Sequence, residues 1–344
     1  SAKGHTIVVE KSTLPVKTAQ TIKDILYSVD NLNPNNERTF SVLSNPEFLA
    51  EGTAIDDLEN PDRVLIGGDD INSMNSLKNI YLNWVVSSKV ILTNLWSSEL
   101  SKLSANAFLA QRISSINSIS AICEATGASI QEVAHAVGMD SRIGRKFLKA
   151  GPGFGGSCFK KDILNLVYLS RYYGLHEVAD FWQNTLSINT WQQNRIYEKV
   201  VEKLFGNLVN KKIAILGFAF KENTNDTRES PSIEMCKNLL NEGAFLKIHD
   251  CKVSKETIFK DLTNEKNLNK LMFSYHNDVY EALEDSHAAI IMTEWDFYKS
   301  INWEKTIPKT KQPFWIFDTR LALDSKEIKS LGINLWQLGY GNNQ

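Results

Sequence analysis

The chain has 344 residues, enough for two or three domains with cores of their own. With 42% hydrophobic and 23% charged residues it is ordinary for a globular protein, and a formal net charge of −2 shows no global bias toward nucleic acid or anionic membrane. No apolar run approaches the roughly 18 residues that span a bilayer, and the start SAKGHTIVVEKS lacks a basic-then-apolar secretory pattern. A Ser-Ala start without Met suggests processing or a cloning scar. Cys123, Cys158, Cys236 and Cys251 form no C-x-x-C pair, which speaks against a zinc site and against a disulfide framework. A reduced, cytoplasmic setting without a metal is expected.

The first elements read as α/β. Thr6 to Glu10 is a short β-branched strand, and the turn Lys11 to Pro15 leads into a helix from about Val16 to Tyr27. Thr39 to Val42 and Val64 to Ile66 read as further strands. No Gly-rich βαβ unit precedes them, so this stretch reads as part of a larger sheet. Ser97 to about Thr126 has neither Gly nor Pro and predicts a long helix stopped at Gly127. Ser129 with Glu132 offers a capping box for a helix ending near Gly138. Helices are also predicted over Lys160 to Tyr173 and His176 to Leu204.

A second α/β alternation starts at Lys211. KKIAILGFAF is a buried-type strand entering a turn, and PSIEMCKNLLNEGA is a helix with Pro231 in its first turn and Gly243 near its stop. FLKIHD, the helix and strand of DVYEALEDSHAAIIMTEW, and PFWIFDTR continue a doubly wound pattern. Boundaries are expected near residues 95 and 206.

Between the helices stands GPGFGG. Gly151, Gly153 and Gly156 fit the G-x-G-x-x-G of dinucleotide loops, but the preceding SRIGRKFLKA is basic and amphipathic, without strand character. A dinucleotide loop needs a strand before and a helix after, so that reading is disfavoured. The glycines are expected instead to let a ligand approach Cys158. Ser157 is expected to cap a helix beginning at Cys158 or Phe159, whose positive end, with Lys160 and Lys161, lowers a thiol pKa. Asp162 follows four residues later on the same face. Two readings stand at this point: a nucleophile, or the small buried hydrophobe that a free cysteine usually is.

Other residues admit similar pairs of readings. Lys102 and Asn106 share one helix face among small residues, as ligand contacts or as a solvated face. Glu47 and Glu51 sit one turn apart, as a paired acid site or as an ordinary helix face. Lys221 and Arg228, in the loop after the strand KKIAIL, meet phosphates or are solvated loop cations. Gly217 alone makes no dinucleotide fingerprint there, so a nucleotide lacking the second nucleoside is expected. Arg320 is another cation at a strand end.

Five segments in order carry a resemblance: EKSTLPV, NPEFLAEGTAIDDLENPDRVLIGG, SSELSKLSANAFLAQRISSINSISAICEATG, GPGFGGSCFKKD and KIAILGFAFKENTNDTRES. Together they resemble the UDP-glucose/GDP-mannose dehydrogenase family, in its eukaryotic UDP-glucose-oxidising branch, from about Thr6 to Gly339. The resemblance implies oxidation of UDP-glucose to UDP-glucuronate with two NAD⁺ in turn. It implies that Cys158 captures an aldehyde as a thiohemiacetal and carries it to a thioester that water hydrolyses. Lys102 and Asp162 then correspond to the proton-handling and water-activating pair, and Asn106 to an oxyanion-side donor. Glu47 corresponds to the glutamate of thioester hydrolysis and Thr13 to the active-site threonine, both also near the cofactor. Lys161 and Arg228 correspond to cofactor contacts. Phe48, Leu49, Ala50, Glu51, Phe147, Leu148, Lys149, Phe154, Gly155, Gly156, Lys221 and Arg320 correspond to substrate contacts. Arg142 corresponds to an arginine donated across a subunit interface, which implies a homo-oligomer built from dimers, as a hexamer, with no nucleic-acid or membrane partner.

The implied fold is α/β in three parts: the remainder of a Rossmann-type NAD domain over residues 1–95, a central long-helix dimerisation domain over 96–205, and a Rossmann-like UDP-sugar domain over 206–344. The departure is the absence of a first strand–GxGxxG–helix unit, from which weakened NAD binding and turnover are expected. A silent UDP-sugar-binding or oligomerisation fragment, and a relative acting on another nucleotide sugar, stand as the alternatives.

Overall fold

A computed structural model describes residues 4–13, 17–30, 38–263 and 272–341. The chain forms two compact units, residues 1–107 and 108–344. In the first, β1 (Gly4–Glu10), α1 (Thr18–Asp30), β2 (Arg38–Ser44), α2 (Ala54–Glu59), β3 (Val64–Gly67), α3 (Ile71–Tyr81) and β4 (Val90–Thr93) follow in order. The strands form one sheet in the order β1-β2-β3-β4, with β1–β2 and β3–β4 parallel and β2–β3 antiparallel. Leu43, Val64, Ile66 and Met74 pack its core.

Strands at three places match the sequence expectation; β4, α2 and α3 add to it. α3 is polar and rests on a cap rather than on periodicity: the Asp70 carboxylate accepts from Asn72 N at 3.4 Å and Ser73 N at 2.9 Å. The expected helix start near Val16 lies outside the described residues.

α4 (Leu95–Thr126) is the long glycine-free helix and continues into the second unit. There follow α5 (Ile130–Gly138), α6 (Phe159–Tyr172) and α7 (His176–Lys203). Ser129 Oγ caps α5 by accepting from Glu132 N at 3.4 Å. Consecutive α6 and α7 pack on each other across a short turn at Gly174. Among the described residues, no helix is long and apolar enough to cross a membrane.

The rest of the second unit is one wholly parallel sheet: β5 (Lys212–Leu216), β6 (Phe245–His249), β7 (Phe273–Tyr275), β8 (Ala288–Ile291), β9 (Trp315–Asp318) and β10 (Asn334–Gln337). Between them run α8 (Pro231–Asn241), α9 (Lys255–Thr263), α10 (Val279–Leu283), α11 (Asp296–Lys299), α12 (Trp303–Thr306) and α13 (Ser325–Ser330). The strand order is β7-β6-β5-β8-β9-β10. Counted within the unit this is 3-2-1-4-5-6, the order of a dinucleotide-binding sheet. Ile213–Leu216 and Ala288–Ile291 are fully buried, as continuous apolar runs in a covered parallel sheet must be. Its switch point lies between the carboxyl ends of β5 and β8, which is where such sheets receive ligands.

Candidate active site

In the first unit the expected residues gather around the start of α4. Lys102 and Asn106 are only 4% and 7% exposed, so the solvated-face reading of that pair fails. Lys102 Nζ lies 3.8 Å from Glu47 Oε1 and 5.2 Å from the centre of the Phe48 ring. The Arg63 guanidinium lies 3.8 Å from the same ring centre. Glu47 Oε2 accepts from Leu49 N at 2.7 Å, which folds the segment back on itself. Thr13 is half-buried just beyond β1, Leu49 and Glu51 are half-buried, and Ala50 is exposed.

One expectation is corrected here. Glu47 and Glu51 do not share a helix face, because residues 45–50 are irregular and α2 begins only at Ala54. Pro46 disfavours the helical region for Asn45. The Asn45 side chain is committed to tertiary bonds, donating to Leu65 O at 2.7 Å and accepting from Lys11 Nζ at 2.9 Å and Tyr81 OH at 2.7 Å.

Two acids that the sequence reading passed over complete this region. Glu99, one turn before Lys102, accepts from Lys17 N at 2.8 Å and Ala19 N at 2.9 Å and so caps α1. Glu10 ends β1 at 8% exposure, and burial first, then the charge of Glu99, raises its pKa from 4.5 to about 7. The i, i+3, i+7 spacing of Glu99, Lys102 and Asn106 was the available signal.

In the second unit, no strand precedes GPGFGG and α6 follows it. Cys158 is exposed, so the buried-hydrophobe reading fails for it, whereas Cys123 and Cys236 are buried. Burial pushes the Cys236 thiol up. Ser157 is not the helix cap: Cys158 itself occupies the position before Phe159, with no side-chain cap bond, and Ser157 Oγ lies 3.6 Å from its Sγ. The reason is that Cys158 is already near helical, and its carbonyl accepts from Asp162 N at 2.9 Å. Asp162 is 1% exposed on the same turn. Lys161 is exposed, and Lys160 pairs with Glu229 at 2.8 Å.

Every residue from Gly151 to Gly156 is buried. Side-chain amides hold their backbone: Asn117 Oδ1 accepts from Gly151 N at 2.9 Å, and Gln192 donates to Gly151 O at 2.9 Å. Asn189 takes both polar groups of Phe154, N at 2.8 Å and O at 3.1 Å. Gly156 N donates to Arg228 O at 2.8 Å. At Gly153 and Gly155 the space that a side chain would take is filled by the protein itself. A Cβ at Gly153, where φ is +114°, would stand 2.8 Å from Asn189 Oδ1, and one at Gly155 would stand 2.5 Å from Glu229 O. The glycines let the protein approach itself. Phe154 packs edge-on against Phe159, with ring centres 5.7 Å apart.

Around this loop stand the remaining candidates. Arg320 reaches across the switch point, donating to Met292 O at 2.7 Å and Phe220 O at 3.1 Å and pairing with Glu294 at 2.9 Å. Its Nη1 lies 3.3 Å from the place a Cβ would take at Gly151. Lys221 is half-buried, its ammonium 5.6 Å from the Phe220 ring centre. Arg228 is exposed and held by the Asp226 carboxylate at 2.6 Å. Leu148 is buried, while Phe147 and Lys149 are exposed.

Phe147 has φ +62°, a strained value for a bulky side chain. Arg112 of α4, another residue the sequence reading missed, offsets that strain by donating to the carbonyls of Ile143, Gly144 and Lys146 at 2.7–3.0 Å. Arg142 projects from the same loop with its side chain 87% exposed, and its partner Asp140 is held below the usual carboxylate range by that guanidinium.

The first unit fits a dinucleotide on its own evidence. The parallel β1 and β2 end in Glu10, Ser44 and Asn45, and Glu10 Oε1 is buried without a partner among the described residues. A polar carboxyl edge of this kind is what an open sheet offers to a cofactor.

Two nucleotide-type sheets joined by long helices define the class, an NAD-dependent dehydrogenase of nucleotide-sugar type. Three family models match in order: the NAD binding domain over residues 1–85, the central domain over 96–191 and the UDP binding domain over 214–325. The chain belongs to the UDP-glucose/GDP-mannose dehydrogenase family. It is 51% identical to the UDP-glucose 6-dehydrogenase of Caenorhabditis elegans, over 100% of this chain and 72% of that one. It is 52% identical to the Gallus gallus UDP-glucose 6-dehydrogenase, over 98% of this chain and 70% of that one. The structure of a UDP-glucose dehydrogenase from Pyrobaculum islandicum aligns with a TM-score of 0.80 at 31% identity, covering 93% of this chain and 68% of that one.

Two outcomes are expected. Asn189→Ala strands both polar groups of Phe154 and costs about 1–3 kcal/mol for each group left unsatisfied, read from urea denaturation. Glu10 binds its proton more tightly folded than unfolded, so its contribution is full below pH 4.5 and fades as pH rises through about 7. Glu10→Gln is therefore expected to melt above wild type at pH 8, and to lose that advantage near pH 4.

Proposed function

We propose that the chain oxidises UDP-glucose to UDP-glucuronate, with Cys158 holding the sugar covalently between the two oxidations. The observation that carries this reading is the exposed thiol of Cys158 at the start of α6, on a loop whose backbone is held at Gly151, Phe154 and Gly156. The names of the relatives support the substrate.

NAD supplies the hydride acceptor for each oxidation. In the first, the C6 hydroxyl loses its proton to a basic side chain, for which Lys102 is proposed. The Cys158 thiolate then adds to the aldehyde carbon, and the oxygen takes up a proton, giving a thiohemiacetal. The second oxidation removes the remaining hydrogen of that carbon as hydride and the hydroxyl proton, leaving a thioester. Asp162 and Glu47 are proposed to orient and deprotonate water, which attacks the thioester carbon. The C–S bond breaks, and carboxylate and free thiol result. Asn106 is proposed as the donor to the developing oxyanion.

Thr13, Glu47, Lys161 and Arg228 are proposed on the cofactor side. Phe48 to Glu51, Phe147 to Lys149, Phe154 to Gly156, Lys221 and Arg320 are proposed to bind substrate. The domain limits 1–95, 96–205 and 206–344 are proposed as the functional division. Four unpaired cysteines favour a reduced, cytoplasmic setting.

The assembly is proposed to be a homo-oligomer of dimers, a hexamer. The α6–α7 pair leaves Tyr168, Tyr172, Leu175 and Phe181 more than half exposed, an apolar surface suited to a second copy. Arg142, with its side chain 87% exposed and paired with Asp140, is proposed to reach the neighbouring subunit's substrate.

Cys158→Ser is expected to abolish sustained NADH formation with UDP-glucose while UDP-glucose binding, followed by calorimetry, stays within a few-fold. Normal turnover by that variant removes Cys158 from the reaction. Intact-mass measurement of wild type quenched during turnover is expected to show the UDP-glucuronyl adduct. Arg142→Ala is expected to raise KM for UDP-glucose with the sedimentation coefficient unchanged; an unchanged KM places Arg142 outside the substrate site.

A further inference from the structure

The sheet of the second unit has the strand order of a dinucleotide site, a glycine at the end of its first strand (Gly217) and an acid at the end of its second (Asp250). In dinucleotide-binding sheets the first turn offers backbone N–H groups to the pyrophosphate and the acid reaches the ribose. Here the acid points the other way. Asp250, 4% exposed, accepts from Phe218 N at 2.7 Å and Ala219 N at 3.1 Å, the first donors of the turn. The same Oδ2 accepts from Trp295 Nε1 at 3.2 Å, and Oδ1 accepts from Lys252 N at 2.7 Å and Val253 N at 2.9 Å. Five donors converge on one carboxylate.

The rest of the phosphate position is closed as well. A Cβ at Gly217, where φ is +99°, would meet Thr293 at 2.4 Å, so the glycine admits a threonine rather than a phosphate. Thr293 Oγ1 in turn donates to Ala219 O at 2.6 Å. α8 begins with Pro231, which has no N–H, and its cap Ser230 accepts from Ser232 N at 3.3 Å and donates to Phe218 O at 2.8 Å. The helix-end donors that hold anions elsewhere are thus engaged.

We propose that Asp250 is the specificity-determining residue of this unit: its carboxylate is a built-in anion that takes the pyrophosphate's place and bars a dinucleotide from the second sheet. The nucleotide of this unit is then held by the loop beyond Ala219 and not by the turn. By fixing Phe218 and Ala219, Asp250 also sets Phe220, against which Gly155 and Gly156 pack and whose carbonyl Arg320 holds. The inference does not depend on the role of Cys158.

The test compares full-length Asp250→Ala and Asp250→Asn with wild type by thermal melting, with formate, pyrophosphate or chloride at equal ionic strength. Asp250→Ala leaves an anion-shaped vacancy ringed by donors. It is expected to melt several degrees low, and formate or pyrophosphate is expected to restore a large part of the loss where chloride does not. Asp250→Asn fills the space without the charge and is expected to melt low and stay low. Calorimetric titration with pyrophosphate is expected to show a binding event in Asp250→Ala that wild type lacks. Recovery no better than with chloride overturns the proposal, as does a pyrophosphate response equal to that of wild type. Should Asp250→Ala not fold, Asp250→Asn decides: melting with wild type overturns the built-in anion, and a loss of several degrees supports it.

Discussion

Three buried side-chain amides, Asn117, Asn189 and Gln192, hold the backbone of a loop that has almost no side chains of its own, and the candidate chemistry hangs from that loop. Buried backbone groups outside a helix or sheet are costly unless paired. Here α4 and α7 supply the partners, so the loop is fixed to helices and not to a strand ladder. α6 starts immediately afterward, and Cys158 is the first exposed residue of that path, after a half-buried Ser157. An exposed thiol on a rigid mount follows from the hydrogen bonds that hold Gly151, Phe154 and Gly156 beneath it.

The second sheet joins the same network from below. Phe220 and Glu229 leave room for Gly155 only because it lacks a Cβ, and Arg320 ties Phe220 to Met292 across the switch point. Asp250 anchors the turn that precedes Phe220. The sheet that looks built for a dinucleotide has the donors of its first turn spent internally, while in the first unit a buried acid oxygen of Glu10 has no partner among the described residues. The division between the two nucleotide-type sheets is a matter of which donors and acceptors are left over.

Much of this was legible locally. The 32 residues of α4, the strand KIAIL and the Pro231 helix start all follow from periodicity and caps. The shared face of Lys102 and Asn106 follows from their i,i+4 spacing, whereas their burial is read only from the structure. Two errors were local as well. The helical spacing of Glu47 and Glu51 misleads because Pro46 and the bonds of Asn45 keep that stretch irregular. Ser157 was read as a cap although Cys158 already stands at the helix entry. Asn189, Arg112 and Asp250 carry no local signal, because a polar side chain declares its role only through a partner tens of residues away.

By itself the sequence determined the kinds of element, the family through five ordered motifs, and the place of Cys158 at a helix start after a glycine loop, since each depends on near neighbours along the chain. What only the tertiary structure decided is what fills the space beside the glycines and which backbone donors of the second sheet's first turn are already engaged. Both depend on which atoms fill the space beside a backbone N–H, and those atoms come from Asn189, Glu229, Thr293 and Asp250, far away in the chain.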